Sequence, residues 1–165
     1  MVVDLEAVAN QALEEAWAAR TQSQPVVPRW FLVKHGRVSV LSTPWQGTDE
    51  KRAAIALVAS RVRKRRPDAV VFLSDTWVRQ RALPQDQPAT AEILYEYLYG
   101  ESPSEAVDSV EALIAEIFSR DRTWMKLRAY RQRDNGALEI VEEYTAKGTS
   151  MGAVNKAILR ALWGR

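Results

Sequence analysis

The chain has 165 residues, of which 47% are hydrophobic and 27% charged, with no cysteine and a net charge of +2. These values are typical of one globular domain, and the lack of cysteine excludes disulfides, thiolate metal ligands and cysteine nucleophiles. The N-terminus lacks the pattern of a signal peptide and no apolar run approaches the roughly 20 residues of a membrane-spanning helix, so we expect a cytoplasmic protein without membrane contact.

The first pattern along the chain is an amphipathic helix followed by a hairpin. Residues 4–20 repeat apolar side chains at helical spacing, with Asp4 as the expected N-cap. Residues 29–41 form two β-rich runs around His35 and Gly36, a pattern typical of two strands joined by a tight turn.

A second helix and a buried strand are expected next. Thr48 is the predicted cap of a helix over residues 48–66, which has acidic residues in its first turn and basic residues in its last, and Pro67 ends it. The stretch 68–77 then contains four consecutive apolar residues, Val70 to Leu73. A run of that kind predicts a strand that is buried on both faces.

The second half of the chain contains one ambiguous segment. Residues 84–110 form an acidic stretch that we expect to be peripheral, with a short helix at 103–109. The pattern at 111–119 fits either a helix or a strand, and we favour a strand. A hairpin is expected around 134–136, where glycine supplies a positive φ, and a C-terminal helix at 150–163.

These elements predict a single α+β domain over residues 1–165. It would contain a mixed or antiparallel sheet of five or six strands, with helices 4–20 and 48–66 packed on it and a C-terminal helix.

Several short motifs resemble a known group of proteins. They are the stretch 68–77 after a helix, Pro-Ser-Glu at 103–105, Glu-Ala-Leu at 111–113, and a closing meander that ends in Glu-Glu at 142–143. This order resembles a loose group of uncharacterised small bacterial and phage-associated α+β proteins over residues 29–145. The resemblance implies a strand at 111–119 and a phage association, and it implies no activity.

The sequence offers few groups for catalysis or cofactor binding. His35 is the only histidine, and its place in a predicted turn favours a solvent-exposed residue over a zinc ligand or a catalytic base. No nucleophile elbow, phosphate-binding loop or dinucleotide-binding glycine motif is present. We therefore expect no cofactor and assign no catalytic residue.

A carboxylate site is the one enzymatic hypothesis left. Asp75 at the end of the buried strand, with Glu111 and Glu116 on a neighbouring element, would offer hard oxygen ligands to Mg²⁺. The alternative is that Asp75 caps a turn or pairs with Arg79 or Arg81. We assign no metal site, and Asp75 is the candidate ligand.

Two groups of basic residues indicate nucleic-acid binding. The first is the end of the second helix. The second is one face of a predicted strand, where Lys126 and Arg128 lie together with Trp124 and Tyr130. The candidate residues are Arg61, Arg63, Lys64, Arg65, Arg66, Lys126 and Arg128. The alternative is that the helix dipole and local ion pairs account for these charges.

Aromatic residues outside the predicted core favour a protein partner or self-association. Tyr95, Tyr97, Tyr99 and Trp163 are of the residue types enriched in interaction surfaces. Our leading hypothesis is a non-enzymatic binding or assembly protein, oligomeric and of unknown partner. A nucleic-acid-associated protein is the alternative, and a carboxylate metal-dependent enzyme is the third.

Overall fold

A computed structural model describes residues 2–79, 109–147 and 153–163. The helices in these ranges are α1 (Leu5–Thr21), α2 (Thr48–Arg65) and α3 (Ala153–Trp163). The strands are β1 (Arg29–Lys34), β2 (Arg37–Ser42), β3 (Ala69–Arg79), β4 (Ser109–Ser119), β5 (Thr123–Gln132) and β6 (Leu138–Lys147).

The six strands form one sheet in the order β2-β1-β3-β4-β5-β6, and every neighbouring pair is antiparallel. The predicted α+β fold is thereby confirmed. Of the two alternatives for the sheet, mixed or antiparallel, the structure has the antiparallel one. The ambiguous segment 111–119 is a strand, as we favoured.

Both predicted hairpins are present. The β1–β2 turn has positive φ at both central residues, 49° at His35 and 75° at Gly36, as a two-residue turn that follows the sheet twist requires. The β5–β6 turn has Gly136 at φ 86°. Asn135 supports this turn, because its side-chain oxygen accepts a hydrogen bond from the Ala137 amide at 3.0 Å.

Helices cover both faces of the central strand β3. Val71 and Leu73 point to one face and pack with α1, while Val70 and Phe72 point to the other and pack with α2 and α3. All four side chains are buried, as their continuous apolar run predicts. The sheet is therefore the middle layer of the described structure.

The two long helices begin in different ways. Asp4 caps α1 as predicted, since its carboxylate accepts hydrogen bonds from the amides of Glu6 and Ala7. The prediction that Thr48 caps α2 is wrong. Gly47 occupies the N-cap with φ 138° and no side-chain bond, and Thr48 is the first helical residue. Glu50 instead holds the residue before the N-cap, because its carboxylate accepts a hydrogen bond from the Gln46 amide at 2.8 Å.

The C-terminal helix α3 packs on its own chain. Ile158, Ala161 and Leu162 are buried in the cluster that contains Val58 and Val62 of α2. None of the described helices combines the length and apolar character that crossing a bilayer requires.

Several predictions concern residues outside the described ranges. They are the acidic segment 84–110 except for its last two residues, the first residues of helix 150–163, and the three tyrosines Tyr95, Tyr97 and Tyr99. The helix predicted at 103–109 also lies outside them, except that Ser109 is the first residue of β4.

The core can be tested with two matched substitutions in strands. We expect Ile117→Ala to lower the free energy of unfolding by about 2–5 kcal/mol, since Ile117 is fully buried against α1. Ile140→Ala on β6, where the side chain is 42% exposed, should cost about 1 kcal/mol or less. Urea unfolding followed by circular dichroism measures both, and equal losses would contradict the assigned core.

Candidate functional site

The candidate nucleic-acid interface is a group of exposed basic side chains at one end of the sheet, here called the basic end. It combines the last two turns of α2 with the two residues that flank the β1–β2 turn. Its members are Lys34, Arg37, Arg61, Arg63, Lys64, Arg65 and Arg66, all of them exposed.

Hydrogen bonds hold the hairpin against the end of the helix. The Lys34 ammonium donates to the carbonyl of Arg65, one of the helix carbonyls without an intrahelical partner. The Arg65 guanidinium in turn donates to the Ser39 hydroxyl on β2 at 3.3 Å. On the other side of the turn, the His35 amide donates to the Asp68 carboxylate at 3.0 Å. Positions about thirty residues apart in the chain are thereby joined.

The side chains of the basic end have no ion-pair partners among the described residues. The partial negative charge at the C-terminus of α2 favours cations there, but it equals only about half an elementary charge. Asp68, whose carboxylate accepts a hydrogen bond from the His35 amide, is an acidic group beside them, so the seven cations are offset only in part.

The other two predicted nucleic-acid-binding residues lie elsewhere and are engaged. Lys126 approaches Glu6 at 3.6 Å, and Arg128 lies 2.6 Å from both Glu14 and Glu143. Two of these carboxylates belong to α1, which covers this face of β5. Lys126 and Arg128 share one face of β5, as expected. Helix α1 covers that face, and both side chains form ion pairs with its carboxylates.

The aromatic residues of that strand are part of the core. Trp124 and Tyr130 are buried, so neither is available for stacking on bases. Trp17 of α1 packs edge-on against Tyr130, with ring centroids 5.4 Å apart. The prediction of an aromatic binding platform on β5 is therefore wrong, because α1 occupies that platform.

A surface cleft of about 810 Å³ adjoins the basic end. It lies between the β1–β2 turn, the β4–β5 turn and the N-terminus of α1. Its charged lining combines Arg120 and Arg122 with four carboxylates, those of Asp4, Glu6, Asp68 and Asp121. The Arg122 guanidinium lies over the Trp124 ring, 4.1 Å from its centroid. Among the described residues, the buried indole nitrogen of Trp124 has no hydrogen-bond partner.

The predicted carboxylate site corresponds to a polar network at the opposite end of the sheet. Tyr130 donates to Glu111 at 2.7 Å, and the Arg20 guanidinium donates to Tyr130 at 3.1 Å and to Glu111 at 3.3 Å. Desolvation, together with the hydrogen bond to Glu111, raises the pKa of Tyr130 well above its usual range. Tyr130 therefore stays protonated and acts as a structural donor between α1 and the sheet.

Asp75 interacts electrostatically with Glu111 and Arg20 of this network. Its side chain is exposed at the surface, yet desolvation by neighbouring atoms raises the pKa of its carboxyl; Glu111 raises it further, and Arg20 opposes the shift.

The three predicted carboxylates do not converge. Glu116 lies on the other face of β4 from Glu111, since side chains at odd and even positions of a strand point to opposite faces. No three acidic or histidine side chains of the described residues are grouped as a metal ion requires. His35 occupies an exposed turn, as expected.

Sequence reasoning missed Lys34 and Arg37 as members of the basic end. The available signal was their position on either side of the tight turn, which places both at one end of the hairpin. That this end meets the end of α2 depends on tertiary packing.

Of the predicted interaction surface, Trp163 lies at the end of α3 and is half exposed.

Comparisons with protein-family models, curated proteins and solved structures find no match to this chain.

The raised pKa of Asp75 predicts a specific pH dependence of stability. Because the folded state favours the protonated carboxyl, the associated stability is complete below the unfolded-state pKa of 3.8 and is lost as the pH rises through the folded-state pKa. We expect Asp75→Asn, which stays neutral, to raise the free energy of unfolding at pH 7 relative to wild type and to change it little at pH 3.

Urea unfolding at a series of pH values measures this difference. Asp134→Asn, in the exposed β5–β6 turn, is the control. A variant Asp75→Asn that is less stable than wild type at pH 7 would contradict the assignment.

Proposed function

We propose that this protein is a non-enzymatic binding protein whose basic end contacts the phosphate backbone of nucleic acid. The observation that carries the proposal is that seven exposed cations lie together without an acidic partner among the described residues. Leaving so many like charges adjacent is unfavourable for the free protein, and a polyanion removes that repulsion.

The type of cation favours phosphate as the ligand group. Five of the seven residues are arginines. A guanidinium presents a planar fork of donors that matches two phosphate oxygens, whereas an ammonium acts as a point charge. The positions on two turns of a helix and on a hairpin give a surface with several contact points, which fits successive phosphates better than a single small anion.

The basic end consists of cations that suit phosphate contacts, and the two aromatic residues of β5 are not part of it. The aromatic residues Trp124 and Tyr130 are buried, so stacking on bases is not offered by β5. Contacts to phosphate position a protein without carrying sequence information. We therefore propose binding that depends on charge and salt and tolerates different sequences.

Self-assembly is our second candidate function. It is favoured by the edge of the sheet at β2, which pairs with no further strand among the described residues. Trp163 offers less support, because the helix that carries it packs on its own chain through Ile158 and Leu162. The metal-dependent enzyme is the third hypothesis, and it has the least support, since Glu116 faces away from Asp75 and Glu111.

Neutralising the basic end should weaken nucleic-acid binding. We expect replacement of Arg61, Arg63, Lys64 and Arg65 by Gln to lower affinity for a mixed-sequence oligonucleotide. It should also flatten the dependence of log K on log salt by about 0.9 for each duplex phosphate that the variant no longer neutralises. Gln preserves helix propensity, and Arg66 is retained because it occupies the left-handed C-cap with φ 49°. Fluorescence anisotropy at several salt concentrations measures both quantities.

A charge-matched control separates local contact from net charge. Replacement of Lys51, Arg52, Lys156 and Arg160 by Gln removes the same charge from exposed positions outside the basic end, and it should leave most of the affinity in place. Equal reductions in affinity for the two variants would contradict the proposed site. Binding of wild type to anionic phospholipid vesicles but not to oligonucleotides at low salt would contradict nucleic acid as the ligand.

A further inference from the structure

The two outer edges of the sheet differ in a way that bears on association. At the β6 edge the register with β5 shifts between Ala129 and Tyr130, so that Val141 has no paired residue. That strand also carries Glu139, Glu142, Glu143 and Lys147. A bulge and charged side chains are the features by which natural sheets prevent pairing with another strand.

Among the described residues, the β2 edge has neither protection. All six residues of β2 pair with β1 in an unbroken register, and Arg37 at one end is its only charged residue. Val38 and Val40 are 42% and 55% exposed. Both lie on the α1 face of the sheet, since they pair with Val33 and Phe31, but α1 packs farther along, on β3 and β4.

The backbone of β2 presents hydrogen-bonding groups outward at the same positions. The Thr43 amide donates to the Pro28 carbonyl at 2.9 Å, which marks 28 and 43 as a hydrogen-bonded pair at the end of the β1–β2 ladder. Hydrogen-bonded and non-hydrogen-bonded pairs alternate along an antiparallel ladder. The amides and carbonyls of Val38, Val40 and Ser42 therefore point away from β1.

We propose that this edge pairs with β2 of a second copy of the chain, in an antiparallel arrangement about a twofold axis. Residues whose backbone groups point outward form hydrogen-bonded pairs, so that Val38 of each copy lies opposite Val40 of the other. Ser39 then lies opposite Ser39 in a non-hydrogen-bonded pair. This register places four valines side by side on one face and joins the two sheets into one of twelve strands.

Self-complementarity favours a second copy as the occupant. A twofold contact uses the same surface on both partners, and this one matches apolar to apolar and donor to acceptor without a change in either chain. Each Arg37 lies opposite Leu41 of the other copy, so the two arginines are separated by four residue positions along the ladder, about 14 Å. The cation nearest the twofold axis is Arg65, which donates to the Ser39 hydroxyl at 3.3 Å, so the contact brings the two copies of Arg65 toward each other.

The small size of the contact sets the expected strength. Six residues from each copy are far fewer than the roughly 20–30 on each side of a standard protein interface. We therefore expect reversible dimerisation that increases with protein concentration. The proposal does not rest on nucleic-acid binding, although the contact includes Arg37 and lies beside Arg65, which donates to Ser39.

Matched substitutions on the two edges test the proposal in the full chain. In sedimentation equilibrium, the wild-type mass should rise from 18.7 kDa toward twice that value as concentration increases. Val40→Lys should stay at the monomer mass, because the added charges would be buried near each other at the contact. Ile140→Lys on the β6 edge should behave like wild type, with circular dichroism confirming that each variant is folded.

The absence of cysteine in the chain allows a second test of register that does not depend on Val40→Lys folding. Residues in a non-hydrogen-bonded antiparallel pair have Cα atoms about 4.5 Å apart, within disulfide range. Oxidised Ser39→Cys should therefore form a covalent dimer, whereas Ser60→Cys on the exposed side of α2 should remain mostly monomeric.

Three results would overturn the proposal. One is a wild-type protein that stays monomeric at all concentrations. Another is dimerisation that Val40→Lys, once shown to be folded, leaves unchanged. The third is cross-linking of Ser39→Cys no greater than that of Ser60→Cys.

Discussion

The burial of β3 on both faces is the constraint on which the rest of the structure depends. Val70, Val71 and Leu73 are fully buried and Phe72 is 4% exposed. Each such side chain contributes about 1.5–3 kcal/mol when it leaves water. Because successive residues of a strand point to opposite faces, one helix cannot cover all four. The fold therefore needs α1 on one face, and α2 with α3 on the other.

This three-layer arrangement also decides which charges are paired. The acidic side chains Glu6 and Glu14 of α1 lie over β5 and pair with its Lys126 and Arg128. On the opposite face, α2 ends beside the β1–β2 turn, where cations of the hairpin meet cations of the helix. A net charge of only +2 for the whole chain thus conceals one end with seven positive side chains that have no ion-pair partner among the described residues.

Local patterns in the sequence predicted most of the elements, because turns, caps and apolar periodicity act over a few residues. The hairpin at His35 and Gly36 and the buried run after Pro67 are examples. Contacts between distant segments were harder to predict. Nothing near Lys126 in sequence reveals that Glu6, 120 positions earlier, lies beside it. The role of Lys34 likewise depends on its long-range hydrogen bond to Arg65.

The central functional claim is that nucleic acid contacts the cations of the basic end and does not contact Lys126 and Arg128, which form ion pairs on β5. Titration of the ¹⁵N-labelled protein with a mixed-sequence oligonucleotide at low salt, followed by backbone amide chemical shifts, tests it most directly. The account predicts shifts concentrated at residues 34–37 and 61–66, with residues 126–128 unchanged. Absent shifts, or shifts centred on β5, would contradict it.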